Sequence, residues 1–419
     1  MILMPHNRRE RATHQKYNMN LHSDYPFWMI KEGVINSFPS LIDNHKTEVL
    51  VIGGGITGAL IARRLVLAGL QVTVIDKRHV AHGSTSASTS MLQYEIDVPL
   101  FKLGKLVGEK HATKAYQLCA EAIDKLAEIC KPFPELADFK KFPSLYYAGF
   151  EKHTKEMIEP EFKARQKAGF DVQLLRGDEV EKQFGFYAPS AILSQQGGQL
   201  NPYKLCNYLL ADLVKRGHHV YDLTEITDWN VEDNHVLINT HDGFEIEAEH
   251  IVVACGYESQ AYLDKKVTDF NSSYAIVSKP FSDNKPFWKD NALIWESKTP
   301  YLYMRTTSDN RILVGGRDEV FSDPEKRDAL IPQKRIQLEH DFKQLFPNIP
   351  FQTDFAWAGT FAETEDGLPY IGTYDEKRVH YAMGYGGNGI VFSVIAADII
   401  CDEIKGKKNP NRPIFSFER

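Results

Sequence analysis

The sequence predicts an α/β protein in two parts: a parallel sheet covered by helices, and an α+β part with a mainly antiparallel sheet. Three observations predict it. The hydrophobic run Glu48-Val49-Leu50-Val51-Ile52 enters a glycine-rich turn and a helix, and Val72-Thr73-Val74-Ile75-Asp76 follows as a second strand. That spacing is a βαβ unit, whose strands are parallel. Similar character returns near residues 200–256 and at the C-terminus, and two blocks of short, antiparallel-looking strands lie between. Element order therefore assigns 25–100, 196–265 and 355–419 to the first part and 101–195 and 266–354 to the second, behind an expected frayed, disordered tail over 1–24.

The elements carry local signals. The first helix, Ala59 to Leu65, stops at Gly69, a good residue to follow a helix end. A helical stripe of Ala115, Cys119, Ala122, Leu126 and Ile129 predicts a long helix over about 103–129. Strands are expected at 144–150 and 191–195. The next helix is punctuated by Asn201 as N-cap, Pro202 in the first turn and Gly217 beyond the end, with Leu205, Leu209 and Leu213 on its buried face. Strands follow at 251–254, 274–277, 301–303 and 312–314, then a helix from Pro332 to Leu345. The last helix, 390–404, is apolar around most of its surface and so should be buried.

Composition narrows the function classes. The 419 residues include 49 Lys+Arg and 56 Asp+Glu, a net charge of −7, with 43% hydrophobic residues. This is ordinary globular usage and argues against nucleic acid as the main partner. The apolar run 390–401 is interrupted by Ser393 and Asp398 and is too short to span a bilayer. The N-terminus is basic and lacks the apolar core of a secretory signal. Five cysteines without CxxC spacing fit reduced thiols in a cytoplasmic protein. The sequence has no HExxH, clustered His/Cys ligands or GxSxG elbow, so no metal is expected and acyl transfer is disfavoured.

The turn after the first strand carries the chemistry. Gly53, Gly55 and Gly58 form GxGxxG between strand and helix, and Asp76 lies 21 positions after Gly55. This is the Rossmann-like dinucleotide fingerprint. Gly53 permits the tight turn, Gly55 lets the backbone approach a pyrophosphate, and Gly58 allows close helix–strand packing. The helix start, Ile56 and Thr57 included, offers N–H donors and about half a positive charge to the diphosphate. The acid at 76 favours an unphosphorylated ribose. With a single fingerprint, either NAD is the sole cofactor, or FAD is and the electrons come from a substrate. A second glycine-rich turn, Gly384 to Ile390, opens the final helix and offers another anion site.

These pieces resemble the D-amino-acid-oxidase-type family of FAD-dependent oxidoreductases, which includes glycine, sarcosine and γ-glutamylputrescine oxidases. The resemblance runs through VLVIGGGITGALIARRL and VTVIDKR within 49–78, HGSTSASTS at 82–90, QLNPYKLCNYL at 199–209 and IVVACGYES at 251–259. It continues through YLYMR and RILVGGRDE within 301–319 and WAGTFAETEDGLPYIG and YAMGYGGNGIVFS within 357–393. It implies dissociable FAD, with Gly53, Gly55 and Gly58 at the pyrophosphate, Asp76 at the ribose and Lys77 near the adenine. Ser84 and Thr85 would approach the diphosphate and flavin, Ile226 the adenine, and Ala254 and Gly256 the close-approach loop. Gly386, Gly387, Asn388, Gly389 and Ile390 would face the flavin.

The resemblance also implies oxidation of a C–N bond of an amine or amino acid by hydride transfer to flavin N5, which requires positioning more than a strong base. Arg305 matches a position where arginine grips a substrate carboxylate, and Tyr301 and Tyr303 share its strand face. Phe361 stands where glycine-oxidase-like members carry a second arginine, and Leu313 where sarcosine-oxidase-like members carry an oxygen-activating lysine. The electron acceptor is thus oxygen or another molecule. Two other readings remain: a flavin dehydrogenase of a 2-hydroxy acid or polyol phosphate, and a nucleotide-binding accessory protein without turnover.

Overall fold

The computed structural model describes residues 19–283 and 285–419. Most of the 1–24 tail, residues 1–18, lies outside the described residues. Residues 19–24 are packed rather than frayed: Leu21 is buried, His22 bridges to Gly359, and the Ser23 amide donates to the Ala358 carbonyl at 3.0 Å.

The first sheet is built around His45–Ile52, with Val72–Ile75 and Glu245–Val253 paired parallel on its two sides. Val49, Leu50 and Val51 are fully buried, as befits a strand covered on both faces. His219–Tyr221 extends the sheet parallel to Val72–Ile75. Beyond Glu245–Val253, the antiparallel hairpin Ile226–Val231 and Val236–Thr240 takes one half of that strand's free edge. Val379–Met383, parallel, takes the other half and so returns the C-terminal segment to the sheet centre.

The second sheet has the order Thr353–Glu363, Asp269–Ser278, Ile312–Glu319, Tyr303–Thr306, Leu293–Glu296, Ser144–Tyr147, Ser190–Ser194, Val172–Arg176. Only the pairing of Leu293–Glu296 with Ser144–Tyr147 is parallel. Thr353–Glu363 belongs to this sheet along its whole length, so the chain passes back to the first sheet after Glu363 rather than at 355. The boundary is invisible in the sequence because that strand is as apolar as those it leaves.

Local signals place helices well where caps exist. Pro202–Lys215 begins as expected, its Asn201 carboxamide oxygen accepting from the Lys204 amide at 3.0 Å. The expected helix over 103–129 is two, Leu100–Val107 and Glu109–Cys130. Gly108 separates them at φ 85°, a left-handed backbone that glycine adopts without cost. Several helices had no sequence expectation, among them Gly177–Phe184 and Lys152–Lys167, which carries Pro160 in its interior. Among the described residues no helix is long and apolar enough to cross a membrane.

The helix after the fingerprint, Ile56–Leu67, packs against the final helix, Gly389–Ile404, in the largest hydrophobic core. Asp398 of the final helix pairs with Arg64 at 2.8 Å and with Lys125 at 2.7 Å. Gly58 makes the descent of the first helix possible: a Cβ there would stand 1.9 Å from the Gly53 carbonyl oxygen. Gly58→Ala is therefore expected to lower unfolding stability by about 1–3 kcal/mol, the usual cost of overpacking a tight contact, as read by urea titration.

Candidate active site

Both glycine-rich turns open into one continuous cleft. Its wall includes Gly53, Gly55, Ile56 and Thr57 from the first turn and Gly386, Gly387, Gly389 and Ile390 from the second. Gly53 sits at φ 114°, where a Cβ would lie 2.4 Å from the Ala254 oxygen, so the turn closes against the adjoining strand end. Ala254 and Gly256 line the cleft beside it, and Ile226 lies at the same end.

Asp76 ends its strand with both oxygens on backbone amides: Oδ2 accepts from Gly54 at 2.7 Å and Oδ1 from Arg78 at 2.8 Å. Burial nonetheless pushes its carboxyl up to about 6, the two amides working in the opposite sense. The oxygens keep further lone pairs for ribose hydroxyls. Lys77 and Arg78 pair with Glu258, Lys77 Nζ at 2.9 Å and Arg78 through both terminal nitrogens at 2.9 Å. Thr85, in the short helix Ser84–Ala87, accepts the Ile56 amide on Oγ1 at 2.9 Å and so tethers the Ser/Thr-rich segment to the fingerprint helix.

Several buried polar atoms on the wall have no hydrogen-bond partner among the described residues: Ser84 Oγ, Ser90 Oγ and Gln93 Nε2. With two glycine turns lacking Cβ atoms and an acid at the ribose position, this is a wall complementary to an elongated dinucleotide. The residues fit the group.

Two of the expected cofactor contacts do not face the cleft. Gly58 is spent on helix–turn packing. Asn388 is turned back, its Nδ2 donating to the Glu95 carbonyl at 2.5 Å. The segment that holds it also supplies Asp97, absent from the sequence reading. Asp97 Oδ2 accepts the Gly387 amide at 2.9 Å and its Oδ1 accepts from the Tyr301 hydroxyl at 3.2 Å. Burial raises its carboxyl above the usual range.

Tyr301 and Tyr303 line the cleft as expected, 5.8 Å apart between ring centres. The Tyr303 ring lies across Gly315, where a Cβ would come within 2.2 Å of Cζ, and Gly316 makes room for the Tyr301 carbonyl, 2.6 Å from where its Cβ would stand. Arg305 does not follow the tyrosines. The residue is 2% exposed and lies off the cleft wall, Nε donating to the Thr89 carbonyl at 2.6 Å, Nη1 to the Thr306 carbonyl at 3.1 Å, and Cζ 5.5 Å from the Trp28 ring centre. Strand alternation put it on the tyrosine face, but its length lets it run under the Ser/Thr-rich segment instead. Burial pulls its pKa down to about 9. Leu313 is fully buried in the main core. Phe361 does line the cleft, beside Tyr257 and Asp318, which the sequence reading passed over.

Residues 48–403 match the family described as FAD dependent oxidoreductase (DAO). The chain belongs to that family. A gamma-glutamylputrescine oxidoreductase of Escherichia coli (strain K12) is 23% identical over 88% of this chain and 86% of its own. Among solved structures, a glycine oxidase from Geobacillus kaustophilus superposes with a TM-score of 0.74 at 20% identity, covering 88% of this chain and 96% of the other. An L-alpha-glycerophosphate oxidase from Mycoplasma pneumoniae with FAD bound superposes with a TM-score of 0.73 at 16% identity, covering 88% and 98%. The protein is an FAD-dependent oxidoreductase of the DAO family, and the cleft with two glycine turns is where its sequence signature lies.

Two outcomes follow from this arrangement. Gly55→Val should abolish FAD retention, because a Cβ there would already stand 3.1 Å from Thr85 Oγ1 and the added methyls would enter the pyrophosphate space; flavin absorbance of the purified protein checks it. Arg305→Ala should lower stability by about 1–3 kcal/mol, since the Thr89 carbonyl loses its donor. Affinity for carboxylate ligands should stay within about twofold, which titration of the flavin spectrum measures.

Proposed function

We propose that the protein oxidises a C–N bond of an amine or amino acid, converting CH–N to C=N as a hydride leaves carbon and a proton leaves nitrogen. Bound FAD supplies the hydride acceptor. In this reading the parallel-sheet part holds the cofactor and the antiparallel sheet forms the substrate wall. Tyr257, Tyr301, Tyr303 and Phe361 exclude water and present ring faces to the substrate. Asp318 accepts hydrogen bonds from a substrate nitrogen.

The observation that carries this reading is the charge of that wall. Of the residues lining the cleft, the cations are Lys77 and Arg78, both paired with Glu258 near Asp76. Around the tyrosines the charged groups are carboxylates. A polyol phosphate or a 2-hydroxy acid brings only an anion and hydroxyls to this acid, whereas an amine or amino acid brings a nitrogen that can carry positive charge and donate to it, which weighs against the first two. The printed activities on γ-glutamylputrescine and on glycine point the same way, whereas that of the glycerophosphate oxidase points to the polyol phosphate.

Anaerobic mixing of the FAD-loaded protein with amines, amino acids, 2-hydroxy acids and polyol phosphates tests it. Amines or amino acids should bleach the flavin absorbance. Bleaching only by hydroxy acids or polyol phosphates would replace this reading with the dehydrogenase of that class. A flavin that dithionite reduces but no substrate does would favour a protein without turnover.

A further inference from the structure

Asp318 occupies a position that the fold distorts itself to create. In the pairing of Asp269–Ser278 with Ile312–Glu319, Tyr274 faces Gly316 and Ser272 faces Glu319, so Arg317 and Asp318 stand opposite the single residue Ser273. Arg317 takes φ 60°, a left-handed backbone that a long side chain adopts only when its surroundings require it. This bulge sends Arg317 outward, where it pairs with Asp341 through Nε at 2.7 Å, and turns Asp318 into the cleft.

What Asp318 meets there is unusual for a buried acid. Its Oδ1 is shut off from solvent and has no hydrogen-bond partner among the described residues, although the residue as a whole keeps an opening onto the cleft. Burial pushes its carboxyl up to about 6, with Ser273 working against the rise and Asp97 adding to it. Glu363, held by Asn271 Nδ2 at 3.0 Å, is pushed up to about 7 by burial and by Asp97 and Asp318. Lys334 favours the charged form of Asp318 from a distance but makes its hydrogen bonds elsewhere, its Nζ donating to the Arg317 carbonyl at 2.8 Å and to Glu319 at 2.5 Å. Asp318 thus faces the aromatic-walled end of the cleft, with Asp97 and Glu363 close enough to act on it or be acted on by it and no cation on that stretch of the wall, beside four rings whose faces attract cations.

We propose that Asp318 seats a substrate ammonium group, so that the enzyme takes a diamine or an aminoalkyl amine, a cation without a carboxylate, rather than an α-amino acid. This rests on the C–N oxidation reading above and narrows it. The reacting nitrogen must be neutral when hydride leaves its carbon, whereas a carboxylate stabilises the charged form. The nitrogen held by Asp318 is therefore a second one, which stays protonated and fixes the distance between the acid and the carbon oxidised.

The test titrates the FAD-loaded protein without oxygen with putrescine, n-butylamine and γ-aminobutyrate, which share a four-carbon chain and differ at the far end. The readout is perturbation of the oxidised flavin spectrum, followed separately from its reduction. Putrescine should bind at least about tenfold tighter than the other two, a difference of about 1.4 kcal/mol. Asp318→Asn should erase that preference at unchanged flavin content and unfolding midpoint, and Asp318→Glu should restore part of it. Equal or tighter binding of γ-aminobutyrate, or an undiminished putrescine preference in Asp318→Asn, would overturn the proposal. Should Asp318→Asn lose its flavin, the three-ligand series on the unaltered protein decides alone. Asp318-dependent binding of putrescine without flavin reduction would retain the ammonium seat and remove the oxidation reading. Amine-driven reduction indifferent to Asp318 would do the reverse.

Discussion

The side-by-side packing of two buried helices governs the rest of the structure. Ile56–Leu67 and Gly389–Ile404 come from opposite ends of the chain, and a hydrogen bond between Thr57 Oγ1 and Ser393 Oγ, at 2.7 Å, locks their first turns together. Because both helices begin at the same edge of the parallel sheet, their N-terminal ends address one cleft. Each end alone would offer a small, solvent-screened attraction for an anion. Held at a fixed separation in a shared core, they define two ends of a single elongated site. The return of Val379–Met383 to the sheet centre is what makes this possible, since it delivers the second turn beside the first.

Buried charges in this protein sort by whether they have partners. Arg165 is fully enclosed, yet it meets Glu161 at 2.7 Å and Glu95 at 3.1 Å, with Tyr94 and Tyr146 rings nearby. That network ties Lys152–Lys167 to the segment carrying Asp97 and the Asn388 contact, so it braces the cleft from behind. Arg305 is enclosed with carbonyls and an aromatic face instead of an acid, which suits a delocalised, weakly hydrated guanidinium. At the cleft the situation inverts: Asp318 has an enclosed oxygen with no hydrogen-bond partner among the described residues. A buried charge left unpaired by the fold costs several kcal/mol, and a ligand of opposite sign recovers part of it.

Legibility followed the range of each interaction. The fingerprint turn, the Asn201 cap, the Gly69 stop and the all-round apolar final helix depend on residues within one turn or one strand, and each lies where its local pattern placed it. The break at Gly108 was misread because the apolar stripe continues across it while one φ angle does not. Arg305 was placed correctly on its strand but not in its environment, since strand alternation says which side a side chain leaves from and nothing about where a long one ends.

By itself, then, the amino-acid order determined the parallel and antiparallel parts, the family and the dinucleotide turn, because these rest on short-range periodicity, caps and glycine positions. Only the tertiary structure decided which charges gather around Asp318 at the cleft. Asp97, Asp318 and Glu363 lie on three separate segments, and their meeting depends on sheet order and on one extra residue at Arg317 that turns its neighbour inward. A one-residue shift of register reverses the side a strand residue faces, and no local pattern in the chain records it.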